Sequence, residues 1–253
     1  MENSKYKLGL VSVSFRQHSP KEILEAVKAT GLSCIEWGSD VHAPCNDVER
    51  LGEIAALQKK YGIFCSSYGT YFRLGETSIE ELEAYIHAAK LLGTNILRLW
   101  CGGKSGKNMT DEEQTALLAV CQKAAEIAEN NGVMLCMECH RGTFTEDPDD
   151  AVRLMETVNS PHFRMYWQPF QWQAPEENII NATKLSNYAE HIHVFNWREK
   201  EKLPLAEAVT DWQSYLKQFS TPRTLLLEFM PGGTLEELTY EAGALRTIIG
   251  ENE

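Results

Sequence analysis

The stretch NNGVMLCMECH, Asn130–His140, decides the fold. It joins a helical run to a short apolar run across a single glycine. Glycine suits the left-handed position just past a helix end. The run VMLCMEC does not alternate as a strand with one wet face would, so it reads as a strand covered on both sides. The same junction recurs as ATGLSCIEW, KYGIFCSSY and LLGTNILRLW. The glycines are Gly31, Gly62, Gly93 and Gly132, the first three spaced by 31 residues. A unit of that length is one β-strand, one α-helix and their loops.

Helix starts repeat as well. Ser19 with Glu22, Ser78 with Glu81, Thr110 with Glu113 and Thr234 with Glu237 all fit capping boxes, and Asp147 precedes Pro148 at a first helical position. Strands are expected near Lys7–Val13, Cys34–Trp37, Ile63–Tyr68, Asn95–Trp100, Val133–Cys139, Phe163–Gln168, His191–Phe195 and Thr224–Phe229. A helical stretch follows each. Eight β/α units in 253 residues is the size of a (β/α)8 TIM barrel. An open doubly wound sheet would carry a glycine-rich loop after its first strand, whereas this chain continues SVSFRQHSP. No linker or composition break interrupts the pattern. The expectation is an α/β protein with one TIM-barrel domain over residues 1–253.

Composition narrows the partners. Hydrophobic residues make up 43% of the chain, enough for a large core, and the formal net charge is -12. No dense Lys/Arg run is present, which argues against a nucleic-acid partner. No apolar run reaches membrane-spanning length, and MENSKYKLGL lacks the features of a signal peptide. The seven scattered cysteines then read as reduced thiols of a cytoplasmic protein. CMECH, Cys136–His140, matches a haem-attachment spacing, but residues three apart on a strand point to opposite faces. GGKSGK, Gly102–Lys107, is no nucleotide-binding P-loop, because Arg98 stands where that motif needs glycine.

Strand parity picks out polar residues that point inward. Glu138 shares a face with Cys136, Glu228 with Leu226, His193 with His191, Arg98 with Trp100, and Gln168 with Tyr166. The helix-facing side of a barrel strand is apolar, so this set faces the axis. All lie at C-terminal strand ends, where TIM barrels place their active sites. Two buried glutamates within reach of one another demand a cation. Arg98 supplies one charge, and a divalent metal would supply more. Two carboxylates, an imidazole and an amide oxygen suit manganese, magnesium, cobalt or zinc.

The sequence resembles the xylose isomerase-like TIM barrels, a group of sugar isomerases and epimerases that also includes endonuclease IV. The resemblance runs over nearly the whole chain. It is most specific in IEWGSDVHAP, LRLWCGG, MECHRGTFTED, HIHVFNW and LLLEFMPG. The family's mononuclear site implies a metal held by Glu138, Gln168, His193 and Glu228. Gln168 departs from the pattern, since the family has an aspartate there. Gln171 likewise stands where ketose epimerases of the group often have histidine. A glutamine still offers an oxygen but no charge. The two glutamates then just balance a divalent ion, or the change marks a lost site.

The resemblance implies proton transfer beside a sugar carbonyl, through an enediolate, with Glu138 and Glu228 as catalytic carboxylates. Substrate contacts are expected from Glu36, His42, Arg98, Trp100, His140 and Gln171. Trp37, Trp172 and Trp197 also sit at strand ends, where aromatic faces can wall a sugar. The leading expectation is a metal-dependent sugar isomerase or epimerase on a small-molecule sugar. The alternatives are a dehydratase of the inosose type and a non-catalytic sugar-binding protein. The acidic charge and few ligands argue against an endonuclease IV-like nuclease. A homo-oligomer is left open.

Overall fold

The structure, a computed structural model, describes residues 5–251. Its strands are β1 (Lys7–Val11), β2 (Cys34–Gly38), β3 (Phe64–Leu74), β4 (Ile96–Cys101), β5 (Met134–Glu138), β6 (Phe163–Trp167), β7 (Ala189–Val194) and β8 (Thr224–Leu227). They close into one parallel barrel, with β8 hydrogen-bonded to both β7 and β1. Eight helices surround it: α1 (Pro20–Ala29), α2 (Val48–Tyr61), α3 (Leu82–Leu92), α4 (Asp111–Asn131), α5 (Pro148–Val158), α6 (Pro175–Leu185), α7 (Val209–Leu216) and α8 (Glu237–Ile248). The fold is the expected (β/α)8 barrel.

Local chemistry sets the boundaries. Ser19 and Thr110 form complete capping boxes with Glu22 and Glu113, and Asp147 caps α5 by accepting from the Asp149 N–H. The other two expected boxes are absent. Ser78 bonds the Glu80 side chain and the chain first makes a 3-10 turn, Ile79–Glu81, before α3. After the turn Pro231–Gly233, α8 starts at Glu237 with no side-chain cap. Gly62, Gly93 and Gly132 end α2, α3 and α4 in the left-handed conformation, as the junction motif requires.

Several strand ends differ from expectation. β1 stops at Val11 and turns into a 3-10 segment, Ser12–Phe15. β3 continues to Leu74, six residues past Tyr68, with its register against β4 shifted between Gly69 and Arg73. β6 ends at Trp167, since Pro169 removes a backbone donor just beyond Gln168. β7 begins at Ala189 and ends at Val194. β8 ends at Leu227, and Phe229 takes a left-handed backbone with φ 49, its N–H donating to Ser14 Oγ at 2.9 Å. A small antiparallel hairpin pairing Asn196–Arg198 with Glu201–Leu203 was not foreseen.

The core has two parts. Val11, Val13, Cys34, Cys136, Tyr166 and Leu226 pack inside the barrel. A much larger apolar set, including Cys139 and Trp167, fills the layer between strands and helices. Cys136 and Cys139 therefore lie on opposite sides of the sheet, as parity requires, and all seven cysteines are free thiols. Among the described residues no helix is long and apolar enough to cross a membrane.

Candidate metal centre and its cavity

Parallel register carries the inward residues to one level. Glu138 pairs with Tyr166 across β5 and β6, and Tyr166 pairs with His191 across β6 and β7. Two residues further along each chain, Gln168 and His193 meet on the same face, with Gln168 Oε1 at 3.1 Å from His193 Nδ1. His193 is level with Leu226, so Glu228 emerges one inward step above it. Glu138, His193 and Glu228 each offer an atom within 4.8 Å of the others. Nδ1 lies 3.4 Å from Glu228 Oε2 and 3.7 Å from Glu138 Oε1.

These separations fit a cation. Ligand bonds of about 2.0–2.2 Å put neighbouring donors roughly 3–3.6 Å apart in tetrahedral geometry. Gln168 is oriented for the part. Its Nε2 donates to the Cys139 carbonyl at 2.9 Å, which can only accept, so the amide oxygen is turned toward Nδ1. The departure from aspartate thus removes a charge while keeping an oxygen in place.

The electrostatics involve one more carboxylate. Glu36, wholly buried, lies on the other side of the imidazole, with Oε1 3.5 Å from His193 Nε2 and 3.5 Å from Arg98 Nε. Its second oxygen accepts from Ser67 Oγ at 2.8 Å. Burial opposes this charge, but His193, then Arg98 and Ser67, outweigh it and hold Glu36 down to about 2. Arg98 Nη1 lies 3.0 Å from Glu138 Oε2, which also accepts from Trp100 Nε1 at 2.6 Å. One oxygen of Glu138 is therefore committed to Arg98 and Trp100, and the other faces Nδ1. With His193 neutral, as a metal-ligating imidazole must be, three carboxylates against Arg98 leave two negative charges, the complement of a divalent ion.

The two expected catalytic glutamates are not equivalent. Burial raises the Glu138 carboxyl, but Arg98 and His193 overcome that and hold it well below the usual range. Burial pushes Glu228 up to about 7, with His193 opposing and Glu138 adding to the rise. Burial would lower His193, but Glu228, Glu36 and Glu138 together raise it to about 10.

Above the cluster is a cavity of about 300 Å³, lined in part by Arg98, Trp100, Glu138, His140, Gln168, Gln171 and Glu228. Arg98, Trp100, His140 and Gln171 thus reach it, as expected of substrate contacts. His140 Nδ1 lies 2.7 Å from the Arg141 carbonyl, so Nδ1 carries the proton in that bond and Nε2 is left free of it. Two expected substrate residues do not reach it. Glu36 is sealed beneath by Arg98 and His193. His42 is wholly buried, its nitrogens 3.1 Å from Ser12 Oγ and 3.2 Å from the His18 carbonyl, and its ring packs on Trp37. Trp37 is also fully buried, while Trp197 lines the cavity and Trp172 lies in an adjoining cleft.

Sequence reasoning missed Ser67, Gly69 and Tyr71. Tyr71 lines the cavity with its ring edge-on to Trp100 at 5.1 Å and its hydroxyl bonded by Arg16. The signal was the stretch TYFRL, which continues β3 and in which Thr70, Phe72 and Leu74 are buried. Gly69 matters by what it lacks: a Cβ there would meet Glu36 Oε1 at 2.5 Å and Arg98 Nη2 at 3.0 Å.

A sequence model of the xylose isomerase-like TIM barrel matches residues 24–239. The chain belongs to this family. Solved structures share the family's barrel. The probable 3-DHS dehydratase AsbF from Bacillus anthracis superposes with a TM-score of 0.80 at 16% identity, covering 94% of this chain and 98% of that one. The IOLI protein with a bound zinc atom gives 0.78 at 16% identity, covering 98% and 99%. A D-psicose 3-epimerase solved with D-fructose gives 0.70 at 14% identity, covering 96% and 99%. At these identities the likeness concerns the fold.

Proposed function

We propose that the protein is a metal-dependent isomerase or epimerase of a sugar or related polyol-ketone, moving a proton beside a carbonyl through an enediolate. The observation that carries this reading is the convergence of Glu138, Gln168, His193 and Glu228 beneath a polar cavity. Those four residues would hold manganese, magnesium, cobalt or zinc. Such an ion, when bound, supplies Lewis-acid stabilisation of adjacent carbonyl and hydroxyl oxygens. The zinc in the IOLI structure and the epimerase among the structural neighbours support the assignment by analogy.

The chain's own residues divide the work. Glu228 is the proton acceptor, because it lines the cavity and its carboxylate is not tied by Arg98 and Trp100 as that of Glu138 is. Glu138 is the fixed ligand, one oxygen tied to Arg98 and Trp100. In isomerisation Glu228 returns the proton to the neighbouring carbon. In epimerisation Glu138 serves the opposite face, and its carboxylate, tied to Arg98 and Trp100, is the poorer base. Arg98, Trp100, His140 and Gln171 hold the hydroxyls and one face of the ring.

A dehydratase is the second reading, favoured by His140. Elimination needs an acid for the departing hydroxide, and His140, which lines the cavity with Nδ1 donating to the Arg141 carbonyl, is that acid when its Nε2 also carries a proton. The fold shared with AsbF supports this alternative. Solvent deuterium exchange over a panel of ketoses and inososes, with each metal in turn, tests both. Label is expected to enter one carbon, with isomer formed in the first case and water lost in the second, and Glu228→Gln is expected to abolish entry. Absence of exchange with every metal, or wild-type exchange by Glu228→Gln, would overturn the reading.

A further inference from the structure

Beside the cavity over the metal centre lies a second cleft of about 350 Å³, between the loop after β6 and the segment that runs from the end of β7 into α7. Gln171 and Trp197 line both spaces, so the two adjoin at these residues. The backbone joins the same walls, the Glu199 N–H donating to the Gln171 carbonyl at 3.2 Å. Resting on the proposed chemistry of the first cavity, we propose that this cleft is a subsite for a second sugar ring, and that the substrate is a glycosylated keto-sugar rather than a free monosaccharide.

The lining carries the argument. Trp172 and Trp197 border the cleft above the buried Trp212, and aromatic faces match the C–H face of a pyranose. The indole N–H of Trp212 is already taken by the Phe195 carbonyl at 2.9 Å, which leaves that wall apolar toward a ligand. At the lips, the side chains of Gln171, Arg198 and Asp211 form no hydrogen bond or ion pair within the described residues, and their donors and acceptors are free for hydroxyls. Aromatic walls with a few polar groups at the rim suit a neutral, polyhydroxylated ring.

Charge weighs against the main alternative. Among the described residues that line the cleft, Arg198 stands against Glu199 and Asp211, so the lining is net negative. A phosphate or other anionic substituent is disfavoured there. A monosaccharide bound over Glu138 and Glu228 would leave the larger of the two adjoining spaces empty. A second ring linked to it would reach that space past Gln171 and Trp197.

Equilibrium binding tests this without catalysis. Tryptophan fluorescence and calorimetry would follow titration of wild type, Trp172→Ala and Glu228→Gln with glucose, fructose and a panel of α- and β-linked glucosyl-fructoses. Trp172 is 42% exposed, so its replacement is expected to leave the fold intact, as circular dichroism would check. At least one disaccharide is expected to bind wild type on the order of tenfold more tightly than either monosaccharide. Glu228→Gln should keep that preference and Trp172→Ala should lose it. Equal affinity for all the sugars, or a preference untouched by Trp172→Ala, would overturn the subsite. Failure of the proposed proton transfer would show instead as missing deuterium exchange with this binding pattern intact.

Discussion

Replacing Glu36 by glutamine tests the electrostatic account of the centre. The substitution keeps shape and removes one buried charge. In the folded protein Glu36 is held down to about 2 from an ordinary 4.5, against burial, by His193, Arg98 and Ser67. At about 1.4 kcal/mol for each tenfold change, that difference stabilises the fold by about 3 kcal/mol at neutral pH. Glutamine can keep its oxygen toward Arg98 Nε and His193 Nε2 and turn its N–H to Ser67 Oγ, a hydroxyl that can accept, so the loss is chiefly one of charge. For a chain of this size the loss corresponds to a fall in Tm of about 6 to 12 °C. The sign with pH is fixed. A depressed carboxyl contributes stability above its unfolded value of 4.5 and loses it as pH falls through 4.5 toward 2. Denaturant unfolding of metal-free wild type and Glu36→Gln across pH 7 to 3 is the assay. The gap should be full at pH 7 and under half its size near pH 3. Equal stability at pH 7 would refute the reasoning, and a gap constant with pH would trace the loss to packing instead of charge.

Other outcomes follow from the same geometry. Gln168→Asp restores a third anionic ligand and is expected to tighten divalent-metal binding measured by calorimetry; if neither it nor wild type binds manganese, cobalt, zinc or magnesium, the metal reading fails. Gly69→Ala drives a methyl into Glu36 and Arg98 and should cost about 1–3 kcal/mol in denaturant unfolding, whereas an unchanged midpoint would mean that the pair moves aside freely. Glu241, buried on α8 and accepting from the Leu205 N–H at 3.2 Å, is pushed up to about 7 chiefly by burial. Its contribution to stability is present below 4.5 and lost as pH rises through about 7, so Glu241→Gln should gain on wild type in thermal melts from pH 5 to pH 8. No relative gain would place that carboxyl in water.

The strand–helix period and the inward parity of Glu138, His193 and Glu228 were legible because both are short-range properties. A glycine after a helix and a period of two along a strand act over a few residues. Register then carries parity around the barrel, so knowing the face of each residue was nearly enough to know the ring of ligands. The reach of β3 was not legible, because its extension to Leu74 depends on pairing with β4 across a shifted register. The two failed capping boxes belong with it: Ser78 and Thr234 have the right spacing, but at each the chain makes a further turn before its helix begins.

Roles within the site divide on the same line. The family resemblance made Glu36 and His42 look like substrate contacts, yet both are fully enclosed. Whether a polar group at a strand end meets solvent or is sealed under a neighbour depends on side chains from other strands. Here Arg98 and His193 cover Glu36, and Ser12 and Trp37 enclose His42. The same holds for the difference between Glu138 and Glu228, which are alike in sequence setting. Sequence alone determined the barrel and which side chains face its axis, because local backbone periodicity decides both. Only the tertiary structure decided which carboxylate is held ionised and which is pushed toward neutrality, because Coulomb energy depends on distances between segments remote along the chain.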